Sequence, residues 1–267
     1  SISPQQYLVA LSGDIHTDLE ALRLATETCQ MSTSIALSGQ VEPEKEQYQA
    51  ALNLSKLSVL LPTGRLQTDD LSLAAQTNST RIQASLQSGD LAVNFTSATG
   101  LTPFLAKLSE AMPIVASVQE EKRLDMEALH QALPPFELTA SAKRNNLVQQ
   151  YLQGAGMGFS QFSLTAANDS LLNARSQIDR FSASGIVIDT IQLSLFERHE
   201  REERLYYSLQ VGNKPGNLDQ LASVNLNGFL SGNTTKFFCV QKNRQGQEGF
   251  RIGSQVDFLD SLVKVSL

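Results

Sequence analysis

Apolar and polar residues alternate along most of this chain, and alternation at period 2 marks strands with one dry face and one wet face. Leu22 and Leu24 begin the pattern, and Ile35 and Leu37 continue it. Leu52 and Leu54 start another alternation, and Leu57, Val59 and Leu61 follow. Next come Leu71, Leu73 and Ala75, then Ile82, Ala84 and Leu86, then Leu91, Val93 and Phe95. Their neighbours are mostly Ser, Thr, Gln, Asn and Asp, which suit a solvated sheet face. Asn78-Ser79 and Ser88-Gly89 read as turns.

Residues 101–133 change period. Thr102-Pro103 predicts a helix cap followed by proline at the first helical position. Phe104, Leu105, Leu108, Ala111 and Met112 then recur at helical spacing, and Pro113 predicts an end or a bend. A second helix, from about Asp125 to Leu133, stops at Pro134-Pro135. Such an insertion covers an exposed sheet end or lies as a lid over a groove. Strands resume with Phe136, Leu138, Ala140 and Ala142. A short helix near 146–153 runs into Gly154-Ala155-Gly156-Met157-Gly158, which lacks dinucleotide-loop spacing and reads as a bend. Further strands are predicted near 159–167, 171–178, 185–196, 204–211, 222–231, 235–243, 249–258 and 261–267. The charge-dense stretch from Glu197 to Arg204 reads as a solvated hairpin tip.

Four signatures punctuate the first part: Ser12-Gly13-Asp14-Ile15, Ser38-Gly39-Gln40-Val41, Thr63-Gly64-Arg65-Leu66 and Ser88-Gly89-Asp90-Leu91. Each predicts a turn at glycine followed by the first inward residue of a strand. Their spacing, roughly 25 residues, is that of stacked repeats. The expected fold is mainly β, with stacked repeats over 1–100, a helical insertion over 101–135 and a second β-rich segment over 136–267. On this register Leu22, Leu24, Leu54, Leu73 and Leu91 share an apolar face.

Composition narrows the function. The formal net charge is −6 and aromatic residues make up only 6%, with no Trp. Nucleic acid as a partner is disfavoured, because clustered Lys and Arg are missing. No apolar run approaches the ~20 residues that span a bilayer. The chain opens at Ser1, as a processed protein or a piece with a signal or anchor upstream would. Cys29 and Cys239 are either one bridge or two small buried residues. His16, His130 and His199 have no second His or Cys at metal-ligand spacing. Asp69-Asp70 is the one adjacent Asp pair, and neighbours on a strand point to opposite faces. No catalytic, cofactor or metal residues are therefore assigned, and no cofactor is expected.

Several stretches resemble a known family. They are Leu52-Asn53-Leu54-Ser55-Lys56-Leu57 through Thr77-Asn78-Ser79-Thr80-Arg81-Ile82, and Ser88-Gly89-Asp90-Leu91. They continue with Ala142-Lys143-Arg144-Asn145-Asn146-Leu147 to Tyr151-Leu152, Gly185-Ile186-Val187-Ile188-Asp189-Thr190, and the run from Tyr207 to Asn217. Gln241-Lys242-Asn243 and Gly249-Phe250-Arg251-Ile252-Gly253 complete the set. In these the chain resembles TamB/AsmA-like envelope proteins, in particular the TamB-like proteins of Bacteroidetes. The resemblance implies an elongated curved sheet, a β-taco, in a periplasmic middle segment of a protein anchored in the inner membrane. It implies a non-enzymatic role in phospholipid traffic to the outer membrane or in outer-membrane protein assembly. The partners implied are phospholipid acyl chains and an outer-membrane β-barrel of the BamA/TamA type. The groove wall would comprise Leu22, Leu24, Leu52, Leu54, Leu71, Leu73, Ile82, Leu86, Leu91 and Val93. The competing role is a scaffold that offers a sheet edge to an incoming strand.

Overall fold

The computed structural model describes residues 6–18, 20–21, 29–62, 64–68, 70–121, 125–199, 203–213, 223–232, 234–243, 245–259 and 262–266. Leu22, Leu24, Thr63 and Asp69 lie outside the described residues. The fold is mainly β, and its 17 strands belong to one antiparallel sheet. In chain order come β1 (Tyr7–Asp18), β2 (Gln30–Glu42), β3 (Gln47–Leu61), β4 (Gly64–Thr68), β5 (Leu71–Thr77), β6 (Ile82–Ser88) and β7 (Leu91–Ser97). Helices α1 (Leu101–Glu121) and α2 (Met126–Ala132) follow, then β8 (Phe136–Ala142), α3 (Leu147–Gly154) and β9 (Met157–Gly158). The rest is β10 (Gln161–Asn168), β11 (Leu172–Ala183), β12 (Ile186–His199), β13 (Glu203–Gly212), β14 (Ser223–Ser231), β15 (Thr234–Lys242), β16 (Glu248–Leu259) and β17 (Leu262–Ser266). Two compact units share these elements. The first runs to Leu101 and includes Leu138–Ser163 and Ser182–Ser184. The second comprises Thr102–Glu137, Leu164–Phe181 and the chain from Gly185.

In the first unit β1, β2 and β3 pair in succession. The far edge of β3 is shared: Leu57–Leu61 pairs with β4, and Tyr48–Leu54 pairs with β5. β6 and β7 then follow β5. The step of three from Leu54 to Leu57 would put the second half of β3 on the wrong face. A bulge absorbs it. The β2–β3 register shifts between Ser32 and Ser34, and Lys56 takes φ +53°. One extra residue is looped out, so Leu57, Val59 and Leu61 stay on the face of Leu52 and Leu54. Thr33, buried on that face, closes the bulge by donating its hydroxyl to the Ser55 carbonyl at 3.1 Å.

The β6–β7 turn fits its signature. Gly89 sits at φ +58° with the Asn145 carbonyl against it. Asp90 accepts from the Lys143 and Asn145 backbone N–H groups at 3.0 and 2.8 Å and from the Asn146 amide at 2.6 Å. Burial raises the Asp90 carboxyl, but those donors and the Arg144 N–H outweigh it and hold it below the ordinary range. Asn146, itself buried, caps α3 through the Gln149 N–H. Gln150 of α3 then brackets the backbone of Gln67 in β4, donating and accepting at 2.7 Å.

The second unit holds the meander β12 to β17. Leu193, Leu209, Leu226, Cys239 and Ile252 stand opposite one another across five strands on its apolar face. At one end of that face Ala111 of α1 and Leu129 and Ala132 of α2 pack with Leu205, joined by Leu172 and Leu230.

Five expectations need correction. Gly13 and Gly39 lie inside β1 and β2, opposite Ile35 and Val9, and make no turn, so only Gly64 and Gly89 mark one. A Ser-Gly pair on a strand interior looks the same in sequence as one in a turn. α1 begins at Leu101, one residue before the expected cap, and continues through Pro113 to Glu121. Gly154 closes α3, and Met157–Gly158 is a short strand paired with Ala183 and Ser182, so the glycine-rich stretch is more than a bend. Glu197 is not at a solvated tip: it pairs with Leu205 on the apolar face and is only 4% exposed. Cys29 and Cys239 are both free thiols, and Cys29 precedes β2 rather than lying within a strand.

Candidate apolar groove

The registers of the first unit combine into rows that cross the strands. Leu11, Leu37, Leu52, Leu73, Leu86 and Val93 form one row over β1, β2, β3, β5, β6 and β7. Val9, Gly39, Ala50, Ala75, Ala84 and Phe95 form the next. Tyr7, Val41, Tyr48, Thr77, Ile82 and Ser97 form the third. Leu54, Leu71 and Leu91 continue the same face beyond the leucine row. Every predicted groove residue among the described ones therefore lies on one face. Among the described residues of β1 to β7, that face carries no charged side chain. The other face holds Asp14, His16, Gln40, Gln49, Gln76, Gln83 and Asn94.

The middle row explains the relief. Glycine and alanine at four successive strands leave a furrow between a wall of leucines and a wall of Val41, Tyr48 and Ile82. A cavity of about 460 Å³ occupies it, lined by Val9, Gly39, Ala50, Ala75, Tyr48 and Ile82 among others. Leu101 also lines it. Adjacent strands lie about 4.8 Å apart, so the furrow from β1 to β6 is roughly 19 Å long. That is on the order of one leaflet of hydrocarbon, half of a ~30 Å core.

This face is open along much of its width. Val9 is 57% exposed, Leu11 59% and Leu73 42%, whereas Ile82 at 8% is packed. The predicted set thus divides: Leu73 faces the opening and Ile82 is part of the wall's foundation. Sequence reading missed Val9, Gly39 and Ala50. Gly39, between Ser38 and Gln40, and Ala50, beside Gln49, carry little hydrophobic signal of their own, Val9 sits in an unbroken apolar run, and only the register shows the three as one row.

The histidines are dispersed. His16 is opposite Ser32 on the hydrophilic face, and His130 of α2 approaches Glu197 at 3.3 Å. His199 ends β12. Among the described residues no three of His, Cys, Asp and Glu stand together. No helix of the described residues is long and apolar enough to cross a membrane. No family model matches the chain, and neither a curated protein nor a solved structure matches it.

Proposed function

We propose that this chain is a non-enzymatic, periplasmic segment of a TamB-like envelope protein, and that its apolar face conducts phospholipid acyl chains between the inner and outer membranes. The observation that carries this reading is the furrow floored by Gly39, Ala50, Ala75 and Ala84 on an uncharged, partly open face. Its walls are aliphatic and offer no single strong site, so a chain can slide. Each methylene that leaves water contributes about 0.8 kcal/mol. In this proposal the sheet is the curved β-taco of stacked repeats that the family resemblance implies. A scaffold for outer-membrane protein assembly is the second reading. It is favoured by β1, which is apolar and exposed from Tyr7 to Leu11.

The test is acyl occupancy. Wild-type protein is expected to retain a fluorescent fatty acid and to co-purify with phospholipid, as read by mass spectrometry. Ala75→Phe fills the furrow, and Leu73→Asp sets a charge at its opening. Both variants are expected to keep the circular dichroism spectrum and to lose the lipid. Retention of lipid by Ala75→Phe, or lipid-free wild-type protein, would overturn the conduit and favour the scaffold.

A further inference from the structure

The hydrophilic face of the first unit holds a ladder of amides on ground the groove does not use. Gln40, Gln49, Gln76 and Gln83 stand opposite one another on β2, β3, β5 and β6. Beside them Ser38, Ala51, Ala74 and Ser85 form a low row on the same strands. Both rows line a cavity of about 790 Å³. Val41, Tyr48 and Ile82, which wall the furrow on the apolar face, do not line it, so it opens on the hydrophilic side. We infer that this cavity is a binding site for an unbranched, uncharged oligosaccharide of β-linked hexoses laid across the strands.

The chemistry of the rungs selects hydroxyls. Among the described residues the exposed carboxamides of Gln49, Gln76 and Gln83 engage no other protein group. Gln40 donates to Glu42 at 2.8 Å and keeps its carbonyl oxygen for a ligand. A carboxamide both donates and accepts, as a sugar hydroxyl does, so each rung suits the hydroxyls of one ring. Neither row carries a charged residue. Beyond one end Glu42 is paired with Lys45 at 2.7 Å, and Asp14 lies two rows beyond the other. Such a face gives an anion or a cation nothing to pair with and matches a neutral ligand.

Spacing selects the repeat. Adjacent strands lie about 4.8 Å apart, so the glutamines offer one carboxamide per step over roughly 14 Å. One hexose of an extended β-linked chain is about as long as that step, so successive rings meet successive rungs. A peptide crossing the strands advances about 6.6 Å for each pair of residues and falls out of step. The methyl groups of Ala51 and Ala74 in the low row suit the C–H face of a pyranose ring. The volume is in the range of small-molecule sites, about 300–1,000 Å³.

Calorimetry on the full chain uses cellotetraose, cellobiose and tetragalacturonate as probes, and sedimentation reads self-association. Cellotetraose is expected to bind saturably and tighter than cellobiose, because it meets the whole ladder rather than half of it. Salt should leave its affinity unchanged, since no charge takes part. Gln49→Ala and Gln76→Ala are each expected to lower affinity about fivefold, the worth of one neutral hydrogen bond. Gln87→Ala, two rows away on the same face of β6, serves as the control and is expected to leave affinity unchanged. All three side chains are exposed, so melting temperatures should stay at the wild-type value. No saturable binding of cellotetraose overturns the site, as does equal loss in the Gln76 and Gln87 variants. Equal affinity for cellobiose overturns the match of ring to strand, and equal affinity for tetragalacturonate overturns selection by neutrality. Self-association lost in Gln76→Ala, without sugar binding, overturns the proposal and assigns the ladder to a second copy of this chain.

Discussion

Asp90 shows how much one side chain does in this sheet. It closes the β6–β7 turn and fastens that turn to the segment leading into α3. Its carboxyl is held below the ordinary range, so the stability it contributes is present above the carboxylate range of the unfolded chain. That contribution is lost as pH falls through the depressed folded value. Asp90→Ala is expected to lower stability by about 1–3 kcal/mol in urea titrations at pH 7. The difference from wild type should shrink on acidification. Gly228 makes the opposite point, that an absent side chain can matter as much. A Cβ there would meet the Lys236 carbonyl and the Tyr207 hydroxyl, which itself donates to that carbonyl at 3.2 Å. Gly228→Ala should therefore destabilise by about 1–3 kcal/mol in the same assay. The Ser-Gly-Asp-Leu signature was legible at Ser88–Leu91 because the turn needs a positive φ, which glycine supplies. Nothing in the sequence showed that Gly13 and Gly39 lacked that need, or that Glu197 would be drawn under α2.

At the scale of elements, strands were more legible than the way they meet. Alternation found strands at β2, β3, β5, β6 and β7 and most of those after α3, because each shows one dry face, but it gave none for β1 and ended the strand at β11 five residues early. It could not show that Leu52–Leu54 and Leu57–Leu61 belong to a single strand, since the odd step between them looks like a break. The bulge at Lys56 is what joins them. Deleting Lys56 should therefore be far worse than replacing it. Removal turns Leu57, Val59 and Leu61 to the hydrophilic face and is expected to cost on the order of 3 kcal/mol or more. Lys56→Gly, which accepts the same φ, should leave the melting temperature within a few degrees of wild type. A deletion variant as stable as wild type would show that the bulge does not set the register. Pro113 does not end α1: proline forbids one helical hydrogen bond, but the packing of Ala111 and Ile114 in the second unit's apolar cluster sustains the helix around it.

For the molecule as a whole, each unit carries a sheet with an apolar and a polar face, and that division was written into the alternation. The furrow was not, because it arises where small residues from distant parts of the chain fall opposite one another. Leu73→Asp and Ile82→Arg should separate these levels. The first touches an open surface and should spare folding, while the second buries a charge and should unfold the first unit, as read by melting temperature. The direction of the rows has a further implication for how such a chain can change length. Each strand adds one residue to the floor, so a duplicated hairpin lengthens the furrow by about 9–10 Å and leaves its cross-section alone. Reach is thus inherited in whole hairpins, each a modular tile. A gene that slips by a hairpin alters the distance spanned, whereas one that slips by a codon alters which side of the tile is dry.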